Sequence, residues 1–195
     1  MYLSQFEVSP QIGQNPYQLH RKLWLAFPDR PDSERDFLFR VDWPRHRSAI
    51  PVLLQSDFEP QAIVDSKVRL LRSKQIEVHP RERSLLRFVI CANPTKRLAD
   101  SHRRVGLYRE EEQLNWLERK LVPAAEIKEV QIVSFKNLYF RKPQSGNKVH
   151  RGKIVTVTFG GVLEVKNSEQ LSCLLTQGIG SAKSFGCGLL SLARI

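Results

Sequence analysis

The chain has little of what binds metal ions, forms disulfide frameworks or crosses membranes. Its three cysteines, at Cys91, Cys173 and Cys187, are odd in number and show no Cys-x-x-Cys spacing, so neither a disulfide framework nor a zinc finger is expected. The five histidines include no i,i+4 pair, and neither a metal site nor another cofactor is expected. No apolar run approaches the roughly 20 residues that span a bilayer.

Residues Met1 to Val8 lack the basic start and apolar centre of a signal peptide and predict a first strand instead. No segment has the apolar and basic faces of a helix that lies on a membrane surface. We therefore expect a cytoplasmic protein with no membrane partner. Its 195 residues, 41% of them hydrophobic, suit one domain or two small ones with a packed core.

Positive charge is abundant. Thirty-one Lys and Arg stand against twenty Asp and Glu, which gives a formal net charge of +11. Such a surplus favours a polyanionic partner through counterion release. The basic residues concentrate in four segments: Arg35 to Arg47, Lys67 to Arg87, Lys96 to Arg109 and Lys136 to Lys153. This clustering favours nucleic acid over an inert basic surface, which remains the alternative.

The first half of the chain predicts strand, helix, strand, strand, short helix and strand. Asn15-Pro16 opens the first helix, which runs to Phe27 before the prolines at 28 and 31 stop it. The remaining predicted elements are strands at Leu3 to Val8, Phe37 to Val41, Pro51 to Gln55 and Val68 to Val78, and a short helix within Gln61 to Lys67.

The second half repeats this order at fuller length. Leu114, Leu117 and Leu121 fall on one face of a helix at Glu110 to Leu121. The other predicted elements are strands at Leu85 to Cys91, Ile127 to Phe135, Ile154 to Phe159 and Gly188 to Ala193, and a helix at Ser168 to Gln177, with a basic loop before Glu110.

Two βαββαβ units in tandem predict an α+β protein with two ferredoxin-like domains, at residues 1–80 and 81–195. Each domain would carry its helices on one face of an antiparallel sheet. The opposite faces would remain free for RNA or a protein partner.

A glycine-rich loop lies near the C-terminus. Gly178, Gly180, Gly186 and Gly188 occur within eleven residues, with Lys183 among them. Glycine permits positive φ, and successive exposed N–H groups can form an anion-binding concavity. The spacing fits neither a P-loop nor a Rossmann fingerprint. On a basic chain the expected anion is a nucleic-acid phosphate, and a mobile glycine-rich connection is the alternative.

The first helix carries the candidate catalytic residues. At about 100° per residue it places Leu19, Leu23 and Phe27 on one stripe, with Tyr17 and His20 along an adjoining flank. Histidine can give or take protons near neutral pH, and a tyrosine hydroxyl can position a group by hydrogen bonding. On sequence alone, a single histidine beside an apolar stripe is more often structural than catalytic.

The tandem layout and terminal glycine loop resemble the RAMP superfamily of CRISPR-associated proteins, and shorter matches narrow the resemblance to its CasE family. These matches run nearly end to end: Met1-Tyr2-Leu3-Ser4, Tyr17-Gln18-Leu19-His20, Leu23-Trp24, Phe27-Pro28, Arg30-Pro31-Asp32, Arg35 to Phe39, Val52 to Ser56, Ala92-Asn93-Pro94 with Lys96, Trp116 to Leu121 and Gly178 to Leu192. The segment from Lys136 to Arg151 matches least.

The resemblance implies a metal-independent endoribonuclease of type I-E Cascade complexes. Such an enzyme cuts precursor CRISPR RNA at the 3′ base of each repeat hairpin by attack of the neighbouring 2′-hydroxyl, and it leaves a 2′,3′-cyclic phosphate and a 5′-hydroxyl. It keeps the cut RNA and joins the other Cascade subunits. The catalytic histidine and assisting tyrosine of the family fall on His20 and Tyr17. A non-catalytic RNA-binding scaffold subunit and a general RNA-binding protein are the alternatives.

The predicted RNA-binding residues flank this pair or lie in the glycine loop. Arg21 and Lys22 follow His20 and could hold phosphates, or could form a solvated helix face. The others are Lys183, Gly178, Gly180, Gly186 and Gly188. The basic loop from Arg141 to Arg151 is a candidate for probing the groove of an RNA stem, with a disordered insertion as the alternative.

Overall fold

The computed structural model describes residues 1–28, 37–43, 49–63, 65–100, 102–143 and 149–195. Two four-stranded sheets, each with helices, make this an α+β protein, as predicted. The chain divides into two compact units. The first comprises Met1–Glu77, Leu138–Lys153 and Ser184–Gly186, and the second Val78–Asn137, Ile154–Lys183 and Cys187–Ile195. The domain boundary expected at residues 80 and 81 stays a prediction.

The first sheet has the strand order β2-β3-β1-β4, which is the order of a ferredoxin-like unit. Its central strand β1 pairs antiparallel with both β3 and β4, and Phe6 lies opposite Val52. The elements of this part of the chain are β1 (Tyr2–Val8), α1 (Pro10–Gly13), α2 (Pro16–Trp24), β2 (Phe37–Val41), β3 (Ile50–Ser56) and β4 (Val68–Gln75).

Alternation explains how this sheet and its helices pack together. In β1 the side chains of Ser4, Phe6 and Val8 are buried, whereas the residues between them are partly exposed. Phe6 and Val8 join Leu19 and Leu23 of α2 in one hydrophobic core. Burying a side chain of this size contributes about 1.5–3 kcal/mol, so this stripe anchors α2 on the sheet.

The second sheet has the order β10-β5-β9-β8, which again matches a ferredoxin-like unit. Its core includes Phe88 and Phe159 of the sheet with Leu117 and Leu171 of the helices. The elements are β5 (Leu85–Ala92), β6 (Thr95–Arg97), β7 (Arg104–Gly106), α3 (Glu110–Leu121), β8 (Ala125–Pro143), β9 (Val149–Val165), α4 (Ser168–Gln177) and β10 (Leu190–Arg194).

The structure corrects three expectations. The short helix predicted within Gln61 to Lys67 is wrong, because residues 61–63 and 65–67 are not helical. The basic loop before α3 contains an antiparallel hairpin, β6 and β7, in which Thr95 lies opposite Gly106. The strands β8 and β9 extend well beyond the segments predicted for them, to 19 and 17 residues. None of the described helices has the length and apolar character needed to cross a lipid bilayer.

Candidate nucleic-acid interface and catalytic helix

Helix α2 begins at a well-capped N-terminus. The Asn15 side chain accepts hydrogen bonds from the backbone N–H groups of Tyr17 and Gln18, at 3.2 and 3.3 Å. Pro16 occupies the first helical position, where a missing N–H costs nothing. The cap therefore fixes where the helix starts and which way its first two turns face.

His20 lies at the edge of the core of the first unit, as the periodicity predicts. Its imidazole stacks on the Phe37 ring with a centroid distance of 5.4 Å, and lies 6.1 Å from Trp24 and 6.3 Å from Phe39. The Nε2 atom is buried, while the residue as a whole is half-buried. Three aromatic rings thus surround the imidazole, and the residue as a whole keeps part of its surface accessible.

Tyr17 stands one turn before His20 on the same flank of α2 and is half-buried. The apolar stripe next to this flank is fully buried at Leu19 and Leu23. The two candidate catalytic side chains therefore lie beside each other on a rigidly anchored element.

Arg21 and Lys22 differ sharply in their surroundings. Arg21 is exposed, whereas the Lys22 Nζ lies 2.5 Å from Oδ2 of Asp65 in an ion pair. The hydrogen bond from Lys22, and then one from the backbone N–H of Lys67, lower the pKa of Asp65 from its ordinary value of 3.8. At 100° per residue, Lys22 points about 160° away from His20 around the helix. It faces an open groove of about 540 Å³ that Gln18 and Lys67 also line.

The glycine loop has the backbone that its composition predicts. Gly178, Gly180, Gly186 and Gly188 all have positive φ, between 73° and 94°. The N–H of Ile179 donates to the Gly188 carbonyl at 2.9 Å, and the N–H of Gly188 donates to the Cys91 carbonyl at 2.7 Å. These bonds, with three of the four glycines buried, describe a packed turn and not a mobile connection.

Close packing explains why two of these positions exclude a side chain. A Cβ at Gly180 would come 2.9 Å from the Trp116 ring, and one at Gly188 would come 2.9 Å from the Ile179 carbonyl oxygen. The Lys183 Nζ donates to the Gln177 carbonyl at 2.5 Å, where a cation suits the end of α4. Lys183 thus closes the loop within the second unit.

Gly186 belongs to the first unit. There a Cβ at residue 186 would lie 3.1 Å from the ring of Phe39, the same ring that neighbours His20. The first unit therefore holds His20, Tyr17, Arg21, Lys22 and Gly186, and within it Arg21 and Lys22 line the same groove.

Sequence reasoning missed the aromatic support of His20. Phe37 and Phe39 alternate with Leu38 in β2, and this period of two predicts that both rings share one face. That pattern could have indicated a shared aromatic wall, although not that His20 would stack on it. The side chains of the predicted groove-probing loop, Arg141 to Arg151, lie outside the described residues.

The described residues contain no group of three or more His, Cys, Asp or Glu side chains arranged to hold a metal ion. The candidate residues in the first unit are one imidazole, one phenol, one exposed guanidinium and the backbone of Gly186.

The sequence matches the family described as CRISPR associated protein over residues 1–194. The chain belongs to this family. It is 41% identical to the CRISPR system Cascade subunit CasE of Escherichia coli, over 99% of each chain. It is 33% identical to the CRISPR-associated endoribonuclease Cse3 of Thermus thermophilus, over 92% of this chain and 90% of that protein.

A solved structure of this family has the same fold. The CRISPR endoribonuclease Cse3 bound to a 19-nucleotide RNA superposes with a TM-score of 0.89 at 30% identity, and the match covers all of both chains. The resemblance found in the sequence to the CasE family is thereby confirmed, and so is the ferredoxin-like α+β fold expected from it.

Proposed function

We propose that this chain is an endoribonuclease that cuts CRISPR repeat RNA at the 3′ base of the hairpin, without a metal ion, and remains in Cascade with the product. Its Escherichia coli relative is named a Cascade subunit, and its Thermus relative a CRISPR-associated endoribonuclease. The observation that carries the proposal is the half-buried His20 imidazole, stacked on Phe37 and flanked on α2 by Tyr17.

The reaction needs two proton transfers and no cofactor. The 2′-oxygen attacks the adjacent phosphorus in line as the bond to the 5′-oxygen of the next nucleotide breaks. One proton leaves the 2′-hydroxyl and one joins the departing oxygen, so a 2′,3′-cyclic phosphate and a 5′-hydroxyl result. Acid–base catalysis of this kind typically contributes about 10²- to 10⁴-fold to the rate.

His20 serves one of these two proton transfers. Imidazole is suited to the task because it titrates near neutral pH. Stacking against Phe37 and Trp24 fixes the plane of the ring, and preorganisation of this kind keeps a catalytic group in the productive geometry. Tyr17, on the same flank, positions the reacting linkage through its hydroxyl.

Arg21 supplies positive charge to the RNA backbone beside this pair, because it is exposed and adjacent to His20 in α2. The glycine loop of Gly178, Gly180, Gly186 and Gly188 binds RNA where its backbone comes close to the partner. The N–H groups of Gly178 and Gly188 donate to the Leu174 and Cys91 carbonyls, so those of Gly180 and Gly186 are the candidate donors to phosphate. Lys183 and Lys22 add charge from fixed positions, since each is hydrogen bonded within the protein. A cytoplasmic location stays a prediction.

Cleavage of a labelled cognate repeat hairpin in excess EDTA tests the proposal. The parent protein should cut once, and His20→Ala should bind the hairpin but cut it roughly 100-fold more slowly or worse, by the usual contribution of an acid or base. The matched control is His79→Ala, which removes an exposed histidine outside α2 and should leave cleavage unchanged.

A chemically modified RNA provides a second test of the proposal. A 2′-deoxy substitution at the nucleotide 5′ to the cut should abolish cleavage and preserve binding. Cleavage of that RNA would contradict the internal nucleophile, and inhibition of the parent by EDTA would contradict the metal-independent mechanism. Binding by the parent without any cleavage would identify a scaffold subunit instead.

A further inference from the structure

A polar pocket lies within the second unit, between the β6–β7 hairpin, α3 and the start of the glycine loop. It measures about 400 Å³ and is lined by Thr95, Arg97, Arg104, Trp116, Lys120 and Gly180, together with Ser181. Three of these side chains are cationic, and none of the lining residues that the structure describes carries a carboxylate. The pocket thus gathers positive charge that is not balanced within its own walls.

The two arginines are direct neighbours across the hairpin. Arg97 and Arg104 are register partners in the antiparallel pair of β6 and β7. Like charges in directly opposite positions destabilise a sheet. An anion held between them would relieve this repulsion, and the forked guanidinium geometry matches a phosphate.

The hairpin that carries these arginines is anchored to the rest of the unit. The N–H of Leu107, just after β7, donates to the Pro94 carbonyl at 3.0 Å. The Gln113 side chain of α3 in turn donates to the Leu107 carbonyl at 2.9 Å. A Cβ at Gly106 would come 2.6 Å from a Val155 methyl group, so β7 packs closely on the sheet. The pocket is therefore formed before any ligand arrives.

The Glu112 carboxylate, beside the hairpin, already forms an ion pair. Lys96 alternates with Arg97 in β6, and its Nζ lies 2.8 Å from Glu112 of α3. This hydrogen bond from Lys96 also lowers the pKa of Glu112. Successive strand residues point to opposite faces, so Arg97 and its register partner Arg104 lie on the face opposite to Lys96. Both arginines line the pocket.

We propose that this pocket binds phosphodiester groups of the RNA backbone, as a contact separate from the one made by His20 and Arg21. The lining favours a polyanion over an apolar or aromatic ligand, because three of its side chains are cationic and Trp116 is buried, with ring atoms packed against Gly180. The choice of RNA as the bound polyanion rests on the proposed function, since an endoribonuclease binds RNA as its substrate. The hairpin stem and the single strand that flanks it are the two sources of such phosphates.

The test compares two double variants that remove equal charge. Arg97→Ala/Arg104→Ala empties the pocket of its guanidinium groups, whereas Arg103→Ala/Arg119→Ala removes exposed arginines of the same hairpin and of α3 that do not line it. Affinity is measured for the repeat hairpin alone and for the hairpin with single-stranded flanks, each with a 2′-deoxy linkage at the cut and over a range of salt concentrations. Thermal unfolding of both doubles verifies that they fold.

The pocket double should bind RNA roughly tenfold more weakly at low salt, because it loses two exposed contacts between guanidinium groups and phosphates. The slope of log affinity against log salt should become shallower by about 1.4 to 1.8. A loss confined to the flanked RNA assigns the phosphates to the single strand, and an equal loss with both RNAs assigns them to the stem. Arg97→Lys/Arg104→Lys should restore part of the affinity.

Two outcomes would overturn the proposal. One is an equal loss in the control double, which would mean that only the overall field matters. The other is unchanged RNA affinity in the pocket double. Loss of binding to a polyglutamate peptide in that protein would then assign the pocket to an acidic protein segment. Because binding is measured on uncut RNA, failure of the proposed cleavage chemistry would leave this result readable.

Discussion

The backbone of Gly186 packs directly on the ring of Phe39, so closely that a Cβ at residue 186 would come 3.1 Å from Cε2. The Phe39 ring in turn lies 6.3 Å from the His20 imidazole, between centroids. One aromatic ring therefore connects Gly186 to the candidate catalytic histidine within the first unit. A change at Gly186 can reach the imidazole through a single side chain.

Substitution of Gly186 by alanine should disturb both the fold and the site. At φ 84° an alanine is strained by about 1–2 kcal/mol, and its methyl group must displace the Phe39 ring. We expect the free energy of unfolding to fall by at least that amount, and single-turnover cleavage to slow more than hairpin affinity weakens. Urea unfolding and cleavage kinetics measure these effects. Unchanged cleavage in a destabilised Gly186→Ala protein would show that Gly186 does not influence His20.

Ala182 should respond in the opposite direction. It has φ 61°, in the left-handed region that favours glycine, and lies in the same loop. Ala182→Gly relieves about 1–2 kcal/mol of strain and costs about 0.5–1 kcal/mol of chain entropy, so a net gain of about 0–1.5 kcal/mol is expected. The melting temperature should rise slightly with cleavage unchanged. A lower melting temperature would contradict the left-handed conformation at this residue.

The regular elements were predictable because their periodicity is long enough to detect. Helix α3 occupies Glu110–Leu121, as its leucine spacing predicts, and β2 occupies Phe37–Val41. The hairpin of β6 and β7 escaped prediction because its strands have three residues each, too few for an alternating pattern. The expected helix within Gln61 to Lys67 failed because weak local propensity is easily overridden by tertiary context.

The candidate site was predictable only where local sequence determines it. The position of His20 beside the stripe of Leu19 and Leu23 follows from helical geometry alone. Its stacking on Phe37, and the ion pair between Lys22 and Asp65, join segments that are distant in sequence. Such contacts depend on the assembled fold, and no local pattern indicates them.

Substitutions of Arg21 and Lys22 should have different effects, one on RNA binding and the other on stability, although the two residues are adjacent in sequence. Arg21 is exposed, so Arg21→Ala should weaken hairpin binding by roughly threefold, as expected for one exposed ion pair, and leave unfolding unchanged. Lys22→Ala removes the partner of the half-buried Asp65 carboxylate, so it should mainly lower the free energy of unfolding. Titration with labelled hairpin and urea unfolding measure the two effects.

The matched control for this pair is Lys22→Ala combined with Asp65→Asn, which removes the unpaired charge as well. It should recover part of the stability lost in Lys22→Ala alone. If Lys22→Ala instead weakened RNA binding as much as Arg21→Ala does, the ion pair with Asp65 would have to open when RNA binds.

Four charged side chains form an ion cluster on β8 and at the end of β9. Lys128 pairs with Glu126 and Glu164, each at 2.8 Å, and Lys166 pairs with the same two carboxylates at 2.7 and 3.0 Å. Hydrogen bonds from Lys128 first, and then from Lys166, lower the pKa of Glu126 to about 2 from its ordinary 4.5. Folding therefore favours the charged form of this carboxylate.

The sign of the pH dependence follows from that shift. A carboxyl group whose pKa is lower in the folded state stabilises the fold fully above the unfolded value, and this contribution disappears as the pH falls through the folded value. The contribution of Glu126 should thus be complete above about pH 5 and decline between 4.5 and about 2. The Glu126→Gln protein should lack this contribution at neutral pH, and its free energy of unfolding should fall less steeply as the pH is lowered.

Urea unfolding between about pH 7 and about pH 2.5 measures this difference, with Glu129→Gln as the control. Glu129 lies on the same strand and is exposed, but it takes no part in these four ion pairs. The difference between parent and Glu126→Gln should be largest at low ionic strength, because the cluster is exposed and salt screens it. Equal acid limbs for the parent and Glu126→Gln at low salt would show that the cluster contributes nothing to stability in solution.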